Sequence, residues 1–208
     1  PRVRARILTV LTNGGINAVG RGFAAGCGPG KAVYSGGRTG GGGYGGKGGR
    51  GDVAGATGGI PYGSTNAPIL PGSGGGDAAA SAGGGAGGGA VRIEARNKMA
   101  VQGTLLANGA GSINPYGGGA GAGIFIACST FEGTADGLLG AKGGEGGLFN
   151  GVKYGGAGGG GRIVVAVGLA DTALAGLVNG QTPPGLYAYS LHKDYGGRLS
   201  VTNGIGYT

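Results

Sequence analysis

Tryptophan is absent from this sequence, and methionine and histidine occur once each. The lone His192 has Lys193 and Asp194 beside it, which suits a surface loop rather than a catalytic base. Only two cysteines occur, Cys27 and Cys128, far apart and in no metal-binding spacing. An oxidised pair and two buried thiols both fit them. The eight acidic residues show no paired placement of the kind that glycoside hydrolysis needs. No apolar run approaches the ~20 residues that cross a bilayer as a helix, so membrane insertion is not expected. There is no initiator methionine and no signal peptide, and the pattern is already running at Pro1. The expectation is a secreted, extracellular or cell-surface segment processed from a larger precursor. No Asn-x-Ser/Thr sequon is available for glycosylation.

Charge is scarce as well, at 12% of residues. Disorder usually combines few apolar residues with high charge, so this composition does not settle into that class. What is abundant is glycine, with 62 of 208 residues. The net charge of +8 serves solubility, or attraction to a polyanion such as an acidic glycan, a membrane surface or nucleic acid. Nucleic acid is not expected. No Arg-Gly-Gly triplet occurs, and the arginines fall at the starts of apolar alternations instead.

Self-similarity organises the chain. The segments "RARILTV" from Arg4, "AVRIEA" from Ala90, "AGIFIA" from Ala122, "GGRIVVAV" from Gly160 and "GGRLSV" from Gly196 align. Their period-two alternation predicts half-buried strands. The aligned slot holds Arg6, Arg92, Gly123, Arg162 and Arg198, and the next holds Ile7, Ile93, Ile124, Ile163 and Leu199. A helix over 90–102 competes locally, but the repeat pattern favours a strand there. A second unit follows as "GTLLANG" at 103–109, "GLLGAKG" at 137–143 and "GLVNG" at 176–180, with "GINAVG" at 15–20 a looser member. Asn-Gly suits a tight corner. Two short strands and a corner, repeated, predict a solenoid whose rungs bury their apolar faces only by stacking.

The rungs fall near 4–20, 90–110, 122–143, 160–180 and 196–208, within one domain spanning 1–208. Glycine segregates to the connections at 22–89, 111–121, 142–161 and 181–197. Within 36–51, Arg38, Tyr44, Lys47 and Arg50 share one phase of a three-residue period. Lys142, Glu145, Leu148, Gly151, Tyr154, Ala157 and Gly160 share another. A left-handed extended helix has three residues per turn and no internal hydrogen bonds. Bare Cα atoms allow such helices to pack and bond to one another. The third position is then expected to point outward.

Copies of "GGGGR-I-x-V" and "G-x-L-x-ANG" between glycine-rich inserts resemble the repeats of very large bacterial cell-surface proteins. Those are read as parallel β-helices. The inserts resemble the polyglycine-II bundles of glycine-rich antifreeze proteins and phage tail-tip adhesins. The resemblance implies an all-β fold of short parallel β-solenoid rungs with polyglycine-II inserts and almost no α-helix. It brings no catalytic motif. The triplet phase breaks at 52–71, and alanine replaces the outward polar residues at 78–90.

Neither an enzyme nor a cofactor is expected. "RGD" at 50–52 matches a cell-adhesion tripeptide, but it ends a glycine triplet run and reads as a structural turn. Stacked rungs would align Arg6, Arg92, Arg162 and Arg198 in a column, where like charges repel. Acids such as Glu94, solvent or a bound acidic glycan would compensate. Arg38, Tyr44, Lys47, Arg50, Arg92, Arg162 and Arg198 are thus the candidate glycan-facing stripe. The sequence opens on a strand and closes on a repeat cut after its first strand, without polar caps. The expectation is self-association, head to tail, into a fibre or sheath. An adhesin or stalk that binds extracellular polysaccharide is the alternative, and an ice-binding protein a further one.

Overall fold

The computed structural model describes residues 1–77, 83–113, 115–168, 175–176, 179 and 195–206. Its elements are β1 (Arg2–Val10), β2 (Gly15–Asn17), β3 (Tyr34–Ser35), β4 (Arg38–Thr39), β5 (Val91–Val101) and β6 (Thr104–Leu106). After them come β7 (Gly123–Gly133), β8 (Leu138–Gly140), β9 (Leu148–Phe149), β10 (Val152–Lys153), β11 (Arg162–Val167) and β12 (Arg198–Ser200). The regular elements of the described residues are nearly all strands with almost no helix, and both large sheets are parallel. The stretch 90–102 is a strand, as its alternation predicts.

Strands go by turns to two four-stranded sheets. One has the order β1-β5-β7-β11, and the other, read from its matching end, β2-β6-β8-β12. Each pass of the chain therefore adds a strand to both sheets at the same end. The register stacks like on like. Val3, Ile93, Ile126 and Val165 form one column, and Ile16, Leu105, Leu139 and Leu199 form the corresponding column of the second sheet. All of these but the exposed Leu199 merge in one apolar cluster with Val91, Met99, Val101 and Ile124. Each such side chain, fully buried, contributes roughly 1.5–3 kcal/mol.

β7 is covered on both faces. Phe125 and Ala127 on its far side pack beneath Ala67 and Ile69. That double burial explains why "GIFIAC" is a continuous apolar run while β1 alternates with arginine. A bulge at Arg96 and Asn97 shifts the register on both sides of β5, and the Ser129 hydroxyl donates to the Arg96 carbonyl at 2.6 Å.

The glycine-rich connections are extended segments hydrogen-bonded to one another. At their centre is 117–122. Its N–H groups donate in rotation to 155–161, 107–111 and 72–76: Gly118 to Gly156, Gly119 to Ala110, Ala120 to Ser73, then Gly121 again to Gly159. Its carbonyls accept in rotation from 83–89, 40–46 and 141–147, through Gly85, Gly42 and Gly144. The three-residue period read from the sequence is thus a period of bonding partners. Space, not backbone conformation, requires glycine here. A Cβ on Gly117 would land on the Gly40 carbonyl oxygen, and one on Gly155 on that of Tyr116. Positive φ is confined to turns, such as Gly36 and Gly37 between β3 and β4, or Asn150 and Gly151 between β9 and β10.

Three expectations need correction. "GGRLSV" does not join the first sheet, because β12 pairs with β8 in the second. Arg92 lies opposite Arg2 rather than Arg6, and beside Phe125 rather than Gly123. Only the pairing of Arg162 with Gly123 follows the sequence alignment. A period-two pattern matches itself equally well after a slip of two or four, and inward packing decides between these registers. The "GLVNG" unit at 176–180 lies mostly outside the described residues, as do the insert 181–194 and its His192.

Candidate functional site

The seven residues of the expected basic and aromatic stripe do not share one surface. Tyr44 is wholly buried at 0% exposure, a correction to its outward placement. Its ring meets Tyr62 edge to face at 5.0 Å, and Gly63 and Gly123 leave room for it. In a bundle bonded on many sides, the third phase of a glycine strand can face another layer as well as solvent. Burial pushes the Tyr44 phenol up to about 12, with Arg162 pulling in the opposite direction.

Arg162 is also engaged inward. Its guanidinium donates to the carbonyls of Tyr62, Gly63 and Gly45, and lies 5.3 Å from the Tyr44 ring centre. Arg38 is half-buried, ion-paired with Asp52 at 3.3 Å and stacked 4.5 Å from the Tyr154 ring. Lys47, Arg50 and Arg198 are exposed, Arg198 on the edge strand of the second sheet. The Asp52 of "RGD" is held by Arg38, its N–H donates to Tyr154, and the Gly51 N–H donates to Ala56. These bonds tie the tripeptide to its neighbours just ahead of a turn at 53–56, where the Ala56 N–H donates to the Val53 carbonyl; the tripeptide is not itself that turn.

Arg92 belongs to a cluster around Glu94. Arg92 donates to Glu94 Oε1 at 2.6 Å, Arg4 to Oε2 at 2.6 Å, and Arg2 to both oxygens at 2.9 and 3.2 Å. Register places Arg4 directly opposite Glu94 and Arg2 opposite Arg92. Burial raises the Glu94 pKa, but the hydrogen bonds from Arg4 and Arg2 and the charge of Arg92 outweigh it, so the carboxyl ends below its usual range. The alignment named Arg92 and Glu94 but missed Arg2 and Arg4, since it paired Arg6 with Arg92. Of the arginines in the expected column, Arg92 is thus compensated within the chain, by Glu94.

Cys27 and Cys128 are both free thiols, the first exposed and the second buried. The two are not bridged, nor are both buried. Burial alone pushes the Cys128 thiol up to about 12. Among the described residues no cluster of His, Cys, Asp and Glu could hold a metal ion. No helix among them is long and apolar enough to cross a membrane.

The sheet ends form the remaining surface. The second-sheet column is fully buried at Leu105 and Leu139 and opens to 41% exposure at Leu199. At the opposite end Ile16 and Val3 are only partly buried, and Ile7 on edge strand β1 is 61% exposed. The second-sheet column thus emerges at both edges, while the first-sheet column opens at the β1 edge alone, its Val165 on β11 being buried. Comparison with protein-family models, curated proteins and solved structures finds no match to this chain.

Proposed function

We propose that this chain is a non-enzymatic, extracellular structural subunit that assembles head to tail into a fibre or sheath. In this reading its two sheets are the faces of a short β-solenoid, and the glycine segments form a polyglycine-II bundle that braces each coil. The observation that carries it is the emergence of the Ile16–Leu105–Leu139–Leu199 column at both edges of its sheet. Coils of this kind bury their faces by stacking on neighbours, and an uncovered edge strand is a template for another. Its two ends differ, so repeated contact between them grows a filament rather than a closed dimer. Electron microscopy of the purified chain is expected to show ordered filaments. Dispersed monomers at high concentration would refute the reading.

A second reading, an adhesin for acidic polysaccharide, is favoured by exposed Lys47 and Arg50 on a chain of net charge +8. It predicts salt-sensitive retention on an immobilised acidic glycan, reduced when both residues become Gln.

A further inference from the structure

The glycine-rich strands that continue the second sheet have a direction. From the first coil, Ala18 donates its N–H to the Leu106 carbonyl at 2.8 Å and Gly20 to Asn108 at 3.0 Å. From the second, Ala107 donates to Gly140 at 2.7 Å and Gly109 to Lys142 at 2.8 Å. From the third, Ala141 donates to Ser200 at 2.7 Å and Gly143 to Thr202 at 2.9 Å. Along these segments the backbone bonds run from each coil to the next, while at the starts of the strands the direction is reversed, Thr104 donating to Gly14, Leu138 to Gly103 and Arg198 to Gly137. A second ladder, ahead of the first sheet, runs the same way: Gly85 to Gly117 and Gly88 to Ala120, then Gly118 to Gly156 and Gly121 to Gly159.

The residues that finish the series are at the last coil. Positions 107 and 109, then 141 and 143, are succeeded in register by Val201 and Asn203. Among the described residues their N–H groups have no acceptor. At the first coil, Gly14 accepts from Thr104, while Ala18 and Gly20 donate to Leu106 and Asn108. The intervening Asn17 and Val19 therefore turn their peptide groups to the uncovered side. The Val201 and Asn203 N–H groups at one end and the Asn17 and Val19 carbonyls at the other thus stand at matching spacing.

We propose that the last coil of one copy stacks on the first coil of a second copy with Val201 and Asn203 donating to the carbonyls of Asn17 and Val19. This rests on the assembly reading above and adds its polarity and register. Leu199 then covers Ile16, and Ser200 lies beside Asn17, continuing the pairings of the internal strands. The internal coils stack parallel and in this register, so continuing their pairing adds the second copy head to tail.

Cysteine cross-linking tests this. Adjacent strands lie about 4.8 Å apart, within the ~4.4–6.8 Å separation that a disulfide spans between Cα atoms. In a Cys27→Ser background, the double variant Asn17→Cys, Ser200→Cys is expected to give a ladder of covalent oligomers on mild oxidation. Mass spectrometry is expected to join the peptide holding position 17 to the one holding position 200. Within one chain these positions sit on opposite edges of the sheet and cannot bond. Each single variant is expected to give no ladder. Val201→Pro removes the donor where no internal bond uses it, and is expected to reduce assembly at least tenfold with an unchanged circular dichroism spectrum and melting temperature. Dimers from either single variant, or undiminished assembly of Val201→Pro, would overturn the proposal. A parent chain that stays monomeric overturns the assembly reading and this inference together. One that assembles without 17–200 bonds overturns this inference alone.

Discussion

The Arg162 guanidinium lies 5.3 Å from the centre of the Tyr44 ring and donates past it to the carbonyls of Tyr62 and Gly63. A strand of the first sheet and a glycine strand of the bundle are thereby joined through one aromatic side chain. The Tyr44 hydroxyl itself has no hydrogen-bond partner among the described residues. Tyr44→Phe is therefore expected to be neutral or slightly stabilising, since it removes a buried polar group that gains nothing. Tyr44→Ala leaves a cavity and is expected to cost ~3–5 kcal/mol. Urea unfolding of the two variants measures the contrast.

Alanine in the glycine segments is expected to change sign with position. Gly117→Ala drives a methyl into the Gly40 carbonyl oxygen in the middle of the bundle. Overpacking of this kind costs ~1–3 kcal/mol or more. At Gly111 the nearest atoms to an added Cβ are 3.8 Å away on Glu145. Gly111→Ala is expected to stabilise the fold by about 0.4–1 kcal/mol, because the unfolded chain loses freedom. Thermal melts of both variants decide the point.

The Glu94 cluster makes stability depend on acid. Its folded carboxyl titrates below the unfolded value of about 4.3. Its contribution is complete above that value and is lost as pH falls through the depressed folded value. Glu94→Gln is expected to lower stability at neutral pH by ~1.5–3 kcal/mol, a range for hydrogen bonds to a charged group. The exposure of Arg2 and Arg4 puts the effect at the lower end. Melting temperatures from pH 7 to pH 2 are expected to converge for the two proteins at the acid end.

The two thiols are expected to separate cleanly. Native protein treated with a maleimide at neutral pH is expected to modify Cys27 alone, with Cys128 reacting only after unfolding. Peptide mapping before and after denaturant reads this directly. Labelling of Cys128 in the native state would contradict its burial.

Much of the scaffold could be read from residues alone. Alternation located β1 and β5, likeness to them located β7 and β11, and glycine triplets located the bundle segments, because each pattern follows the period of its own backbone. Register could not be read in that way. "RVRARI" pairs with "VRIEA" equally well at slips of two, and only the packing of Val3 on Ile93 selects one. Tyr44 was misplaced for a related reason: the triplet gives the phase but does not say which phase meets solvent. The short β9–β10 hairpin was hidden inside a glycine insert, although its Asn150-Gly151 pair is a local turn signal.

The rotation of bonding partners around 117–122 has a mechanical consequence. A sheet carries its hydrogen bonds in one lateral direction, so it can be peeled strand by strand from an edge. A lattice whose strands are tied to neighbours on every side offers no such peeling plane, and sideways load on one strand is shared in all transverse directions. In this chain the apolar sheets and the glycine lattice are continuous through the same strands, as where Gly121 and Ala122 lead into β7. Force that would unzip the sheets must then also pull strands from a lattice that resists from all sides.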